Sequence, residues 1–265
     1  MDAEAVSSER IPSVGCSEEL VTGEWAVWGD RHAMALLPAV EALAQEQRRK
    51  CWVLTHSQTA PAVSLWKSEL VYGLREKTEA FNTAVRQFLK ARQVELAMVS
   101  CVWGDYTSEQ PQKFEQELDL TVSALVQSGT RVVLVRDVAR QDVDVPAALS
   151  LYVRLGWPTD SLGRAMRDHR DENGGREEML KKIAQRYVSS VVVVDPAAVL
   201  VDAQGVWRME LDGEPLYRDD NHLTENGAMR LRPLFYDAVQ RLQSTSRQLP
   251  GSSDGERRDA EAGNP

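Results

Sequence analysis

Short runs of apolar and β-branched residues alternate along this chain with longer segments whose apolar positions recur every three or four residues. That alternation is the signature of an α/β domain, a parallel sheet with crossover helices. Trp25-Ala26-Val27-Trp28 gives the first predicted strand, and residues 33–47 follow as a helix with Met34, Leu37, Val40, Leu43 and Ala44 at helical spacing. Residues 51–54 form a second strand, and 78–91 a helix with Phe81, Val85, Phe88 and Leu89 on one face. The almost unbroken apolar run 96–102 predicts a strand buried on both faces. A helix over 114–126 ends at Gly129 as a C-terminal cap, and strands follow at 131–135 and 191–194.

Between those last two strands, 137–187 reads as an insertion of two helices over one edge of the sheet, interrupted by Pro146, Pro158 and a break at Gly174-Gly175. Asp212-Gly213 between short alternating runs predicts a hairpin within 206–217. Thr224 is placed to cap the last helix, which must tolerate Pro233. From Ser244 onward the chain is Ser, Gly, Arg and acid, which predicts a disordered tail. The resulting organisation is an N-terminal extension (1–22), one domain (23–243) and the tail (244–265).

Composition narrows the function. Hydrophobic residues at 43% and charged residues at 27% are ordinary for a globular domain, and 265 residues suffice for a single large core. A net charge of −9 opposes binding to nucleic acid. Cys16, Cys51 and Cys101 have no metal-ligand or disulfide spacing, so they read as structural and no metal is expected. Neither phosphate-binding glycine motif occurs, which sets aside a nucleotide-binding domain, and no cofactor is expected. No run reaches the roughly 18 apolar residues that span a bilayer, and residues 1–10 are polar rather than a signal peptide. Taken as it stands the chain reads as cytoplasmic.

In open parallel sheets ligands bind beyond the carboxyl ends of the strands, and two clusters occupy such places. Gly29-Asp30-Arg31-His32 follows the first strand and Asp219-Asp220-Asn221-His222 precedes the last helix. An Asp three residues before a His can hold one ring nitrogen and leave the other to act as a base. Each cluster also has a plainer reading: a tight turn with a capping Asp in the first, a chance Asp-x-x-His in the second, and for His32 a packed or capping residue. His56 and His169 lie in a loop and a charged stretch and read as solvated.

Together these residues resemble the SGNH (GDSL-like) hydrolases, in particular the soluble domain fused to membrane acyltransferases that O-acylate cell-surface polysaccharides. Ala26-Val27-Trp28-Gly29-Asp30-Arg31-His32-Ala33 is similar to that domain's Gly-Asp-Ser-His block. Tyr217-Arg218-Asp219-Asp220-Asn221-His222-Leu223-Thr224, with Gly227-Ala228, is similar to its closing Asp-x-x-His block. Trp103 and Tyr106 match an aromatic pair after the third strand, where other branches place an oxyanion-binding Asn. The resemblance implies a three-layer α/β/α sandwich with a central parallel sheet. It also implies a serine esterase or acyltransferase acting on an acylated saccharide or other small ester, with Asp219 and His222 as base pair and Gly29, His32, Trp103 and Tyr106 around the substrate and oxyanion. Association with a membrane acyltransferase module, and a periplasmic location as part of one, are implied too.

Arg31 departs from that pattern by standing where the nucleophilic Ser belongs. A guanidinium stays protonated and has no lone pair with which to attack. Ser57 and Thr59 follow the second strand, and Ser100 lies inside the third with its side chain expected to point away, so none is an obvious substitute. Two functions therefore stay open: an impaired acyl-ester hydrolase or transferase, and a binding or regulatory pseudoenzyme in which Arg31 reads a carboxylate or sugar hydroxyl.

Overall fold

The computed structural model describes residues 1–16, 21–62, 74–107, 110–160 and 162–247. Its strands are β1 (Ser13–Gly15), β2 (Gly23–Gly29), β3 (Arg49–Thr55), β4 (Leu96–Ser100), β5 (Arg131–Val135), β6 (Gly163–Ala165), β7 (Val191–Val194), β8 (Val206–Arg208), β9 (Glu210–Leu211) and β10 (Glu214–Pro215). Its helices are α1 (Ala3–Ser7), α2 (Arg31–Ala35), α3 (Leu37–Glu46), α4 (Leu74–Ala91), α5 (Trp103–Thr107), α6 (Pro111–Gln127), α7 (Val145–Leu155), α8 (Met166–Arg186), α9 (Ala197–Leu200), α10 (Glu225–Met229) and α11 (Arg232–Arg247). Six strands make the main sheet in the order β1-β3-β2-β4-β5-β7, parallel throughout except for β1, which runs antiparallel on β3 at one edge.

Alternation along the strands divides the core into two layers. Ala26, Trp28, Ala97, Val99, Val132 and Leu134 pack on one face with Phe81 and Val85 of α4, Phe114 and Leu118 of α6 and Ile183 of α8. Trp25, Val27, Leu96, Met98, Val133 and Val135 face the other way, against Val40 and Leu43 of α3 and Phe235 and Leu242 of α11. This is the expected α/β/α sandwich. Trp28 is fully buried, and its indole N–H donates to Asn82 Oδ1 at 3.2 Å. The Asn82 amide in turn donates to the carbonyls of Ala60 and Ala62, each at 2.8 Å, so the buried polar groups here are paired and their desolvation is offset.

The helical regions differ from expectation where proline intervenes. Residues 33–47 form two helices, α2 and α3, because Pro38 has no N–H to donate to the carbonyl one turn back. Likewise Thr224 caps only the short α10, accepting from the Gly227 N–H at 3.0 Å, and α11 begins at Arg232 with Pro233 in its first turn, where a missing N–H is harmless. The two helices of 137–187 lie on opposite faces of the sheet rather than together over one edge: Val145 and Leu149 of α7 join one layer, Met179, Leu180 and Ile183 of α8 the other. β4 stops at Ser100, two residues short of the expected strand end. Asp212 (φ 57°) and Gly213 (φ 80°) do turn the β9–β10 hairpin in the left-handed region.

Gly174-Gly175 does not break α8, and a methyl added at either position would meet open space. Each glycine weakens the helix interior by about 0.5–1 kcal/mol relative to alanine. Gly174→Ala and Gly175→Ala are therefore expected to raise stability by about that amount each, read from urea unfolding midpoints; a loss would show that α8 needs the glycines for packing. Within 1–22, β1 joins the sheet and Val6 of α1 is buried in the core. At the other end α11 continues to Arg247, so 244–247 are helical, and 248–265 lie outside the described residues. No described helix is long and apolar enough to cross a membrane.

Candidate active site

The winding of the sheet reverses between β2 and β4, since β3 lies on one side of β2 and the path through β4, β5 and β7 runs away on the other. Such a switch point leaves a crevice at the carboxyl ends of the strands. Gly29 closes β2 there with φ +153°, and a Cβ on it would stand 1.7 Å from the Ser100 carbonyl oxygen. Only glycine lets the two strand ends come so close. Asp30 then caps α2, its Oδ1 accepting from the His32 N–H at 2.8 Å. Its Oδ2 accepts from the Val102 N–H and the Tyr106 hydroxyl, both at 3.1 Å, which ties the loop after β2 to the loop after β4. Burial pushes the Asp30 carboxyl above its usual range, against the pull of the Val102 and His32 N–H groups. Arg31, the first residue of α2, is exposed.

A bridge between Tyr217 and Leu223 pinches off the second loop, and the Gln141 N–H donates to the Asp220 carbonyl at 2.7 Å to hold it against the segment after β5. Inside the loop Asp219 Oδ1 accepts from the N–H groups of Asn221 (2.9 Å) and His222 (2.7 Å), while Oδ2 lies 2.7 Å from His222 Nδ1. Burial tends to raise the Asp219 carboxyl, but these hydrogen bonds prevail and hold it below the usual carboxylate range. A charged Asp219 accepts the Nδ1 proton, so neutral His222 keeps a lone pair on Nε2. The His32 and His222 ring centroids are 4.7 Å apart, which brings the two sequence clusters to one place at the carboxyl edge of the sheet. Burial, with His222 alongside, depresses His32 to about 3, so its imidazole is neutral; its Nε2 is buried without a hydrogen-bond partner among the described residues.

The aromatic pair after β4 is packed inside the domain. Trp103 is buried and its indole N–H donates to the Val135 carbonyl at 2.8 Å; Tyr106 is buried with its hydroxyl on Asp30. Tyr106 thus ties α5 to the Asp30 loop, while Trp103 ties it to the end of β5. His169 is not solvated but 2% exposed, 4.9 Å from the Trp207 ring, and burial depresses it to about 4. His56 is half-buried, with Nδ1 2.7 Å from Thr59 Oγ1. Ser100 and Thr59 are buried, and Ser57 is exposed. None of the three cysteines is in a disulfide among the described residues, and burial pushes the Cys51 thiol up. Among the described residues no cluster of His, Cys, Asp and Glu is arranged to hold a metal.

Asp137, two residues past the end of β5, supports the site and is not singled out by the sequence reading, although the strand-end rule that singles out Asp30 applies to it as well. Its Oδ1 accepts from the Trp103 N–H at 3.1 Å at the start of α5, and Arg176 beneath it donates to Thr107 Oγ1 at 3.0 Å at the far end of that helix. Burial pushes the Asp137 carboxyl up to about 7, against the Trp103 N–H and the Arg176 charge. A raised carboxyl binds its proton in the folded state where the unfolded chain has lost it, so its stabilising contribution is full below about pH 4 and lost as pH rises through about 7. The stability difference between wild type and Asp137→Asn is therefore expected to shift against wild type across that window, measured by urea unfolding at a series of pH values. A pH-independent difference would contradict it.

A family model described as "SGNH domain (fused to AT3 domains)" matches residues 9–237. Among solved structures the chain is similar to the periplasmic domain of the lipopolysaccharide acetyltransferase of Salmonella ser. Paratyphi A, at 14% identity and TM-score 0.67, covering 83% of this chain and 85% of that one. It is similar to TesA at 12% identity and TM-score 0.50, over 83% of this chain and 99% of that one. At these identities the likeness concerns the fold. A search of the curated proteins found no match.

Proposed function

Because this chain belongs to the family of SGNH domains that occur fused to AT3 domains, we propose that it is an ester-hydrolase or O-acyltransferase domain for acylated cell-surface saccharides, with its acyl-enzyme step blocked at Arg31. The observation that carries this is the Asp219–His222 pair, hydrogen-bonded at 2.7 Å and set against the residue that follows Arg31. In a serine route the hydroxyl attacks the ester carbonyl, the imidazole takes its proton, and the carboxylate steadies the imidazolium. Here His222 and Asp219 keep the last two roles while residue 31 has no hydroxyl. Gly29 and Asp30 shape the crevice, Tyr106 holds Asp30 in place, Trp103 anchors the start of α5 beside it, and His32 packs against His222. The likeness to a lipopolysaccharide acetyltransferase domain supports a saccharide ligand, a membrane acyltransferase module as partner, and a periplasmic setting.

The purified protein is expected to remain unlabelled by a fluorophosphonate probe and to give no burst with p-nitrophenyl acetate, since no acyl-enzyme forms at Arg31. Water activated directly by His222 leaves room for slow turnover, because broken triads retain acceleration of about 10³ to 10⁴ over the uncatalysed reaction. Stoichiometric probe labelling, mapped by mass spectrometry to any residue of this crevice, would show that another nucleophile serves and would overturn the block. The exposed Arg31 also favours a second reading, in which the domain binds without cutting.

A further inference from the structure

We propose that Arg31 makes this crevice a receptor for carboxylates, a ligand class that a site built to attack neutral esters does not call for. The inference rests on the reading above that the two strand-end loops form one ligand site. Its first support is that Arg31 is exposed and has no ion-pair partner among the described residues, in a chain with 40 acidic and 31 basic residues. No described acid therefore competes for its guanidinium, and in the reading above it stands where an incoming acyl group would meet the nucleophile.

The surroundings favour an anion as well. Arg140 and Arg218 flank the dyad with side chains 57% and 55% exposed, and the acids Asp30, Asp219 and Asp220 are engaged already, Asp30 by its three hydrogen bonds, Asp219 by His222 and Asp220 by Arg140 at 3.5 Å. Uncharged His32 adds nothing to repel either sign. A planar guanidinium matches a carboxylate with two parallel N–H donors, which a single sugar hydroxyl cannot engage in the same way. The carbon that would have been an ester carbonyl before a serine becomes a carboxyl carbon before the Arg31 fork. That carboxylate belongs either to a free short-chain acid or to an acidic sugar.

The test uses the full chain, titrated at fixed ionic strength with sodium acetate, sodium glucuronate, methyl glucoside and inorganic phosphate while backbone N–H resonances are followed by NMR. Saturable shifts at Gly29, His32 and His222 are expected with acetate and glucuronate and not with methyl glucoside. Arg31→Gln should weaken both by at least about tenfold, the loss typical of one charge-assisted hydrogen-bond pair, and Arg31→Lys should retain part. Equal affinities would point to the free carboxylate, tighter glucuronate to an acidic sugar. Absence of saturation, shifts unchanged in Arg31→Gln, or phosphate binding more tightly than either carboxylate would overturn the proposal. Ester hydrolysis by Arg31→Ser separates the two readings: if that variant is active while wild type ignores carboxylates, only the receptor falls. If it is inert while Arg31→Gln loses carboxylate binding, the acyl-transfer reading falls and the receptor stands.

Discussion

Arg31→Ser is expected to gain fluorophosphonate labelling and to raise ester hydrolysis over wild type by roughly 10²- to 10³-fold, a part of the roughly 10⁴- to 10⁶-fold that separates an intact serine triad from its residual background. The expectation follows from what the substitution leaves alone. Asp30 accepts its three hydrogen bonds from backbone N–H groups and Tyr106, and none involves the side chain of residue 31. Removing an exposed arginine opens no cavity in the core. A serine at the first position of α2 stands beside His32, whose ring is 4.7 Å from His222, so the new hydroxyl is expected at the same crevice as His222 Nε2, its base once a substrate aligns them. Adding His222→Ala should remove both gains, because labelling then lacks its base. Probe stoichiometry and initial rates with acetyl esters measure the outcome, with circular dichroism confirming the fold. A correctly folded Arg31→Ser that stays inert toward a panel of acetyl esters and acylated sugars would show that the site has decayed beyond one residue, and the binding role would be the better account.

Gly29→Ala carries the largest expected effect on stability. The methyl would sit 1.7 Å from the Ser100 carbonyl oxygen and 2.9 Å from the Ala33 side chain, and the φ of +153° is one that alanine adopts only under strain. Relief requires β2 and β4 to part at the centre of the sheet. A loss of about 4–5 kcal/mol is at the extreme for a single change and comparable with the whole stability of many domains, so the variant should be largely unfolded or insoluble. Gly129→Ala is the control, since its φ of +87° is strained for alanine but nothing lies within 4 Å of the added carbon. Its loss should stay near 1 kcal/mol. Comparable unfolding midpoints for the two variants would mean that the close approach at Gly29 relaxes without cost.

The strands were legible because each is a local run of apolar residues, and the Asp219–His222 pair because its spacing is local as well. What escaped the sequence depends on parts of the chain that meet only after folding. Leu37, Val40 and Leu43 continue the helical period of Met34, so the period alone does not reveal that the chain breaks before Pro38. Trp103 and Tyr106 stand at the right strand end, yet nothing in their spacing says that they turn inward. Their direction is set by the Val135 carbonyl on β5 and by Asp30 at the start of α2, parts of the chain distant in sequence. Asp137 supports α5 only because the end of β5 lies beside the end of β4. His169 sits among charges in the sequence but is covered by Trp207, which arrives with β8. The Gly174-Gly175 pair was read from propensity, and the packing of Met179, Leu180 and Ile183 overrides it.

The hydrogen bonds around Asp30 have a consequence for descent. Since the scaffold at the end of β2 is held by Gly29, Asp30 and Tyr106 without help from its neighbour, replacement of residue 31 is nearly neutral for folding. Serine and arginine codons can differ at a single base. A lineage can therefore silence its chemistry in one step, keep a well-folded domain under selection for whatever it still binds, and return by the same step, with no unstable intermediate on the path in either direction.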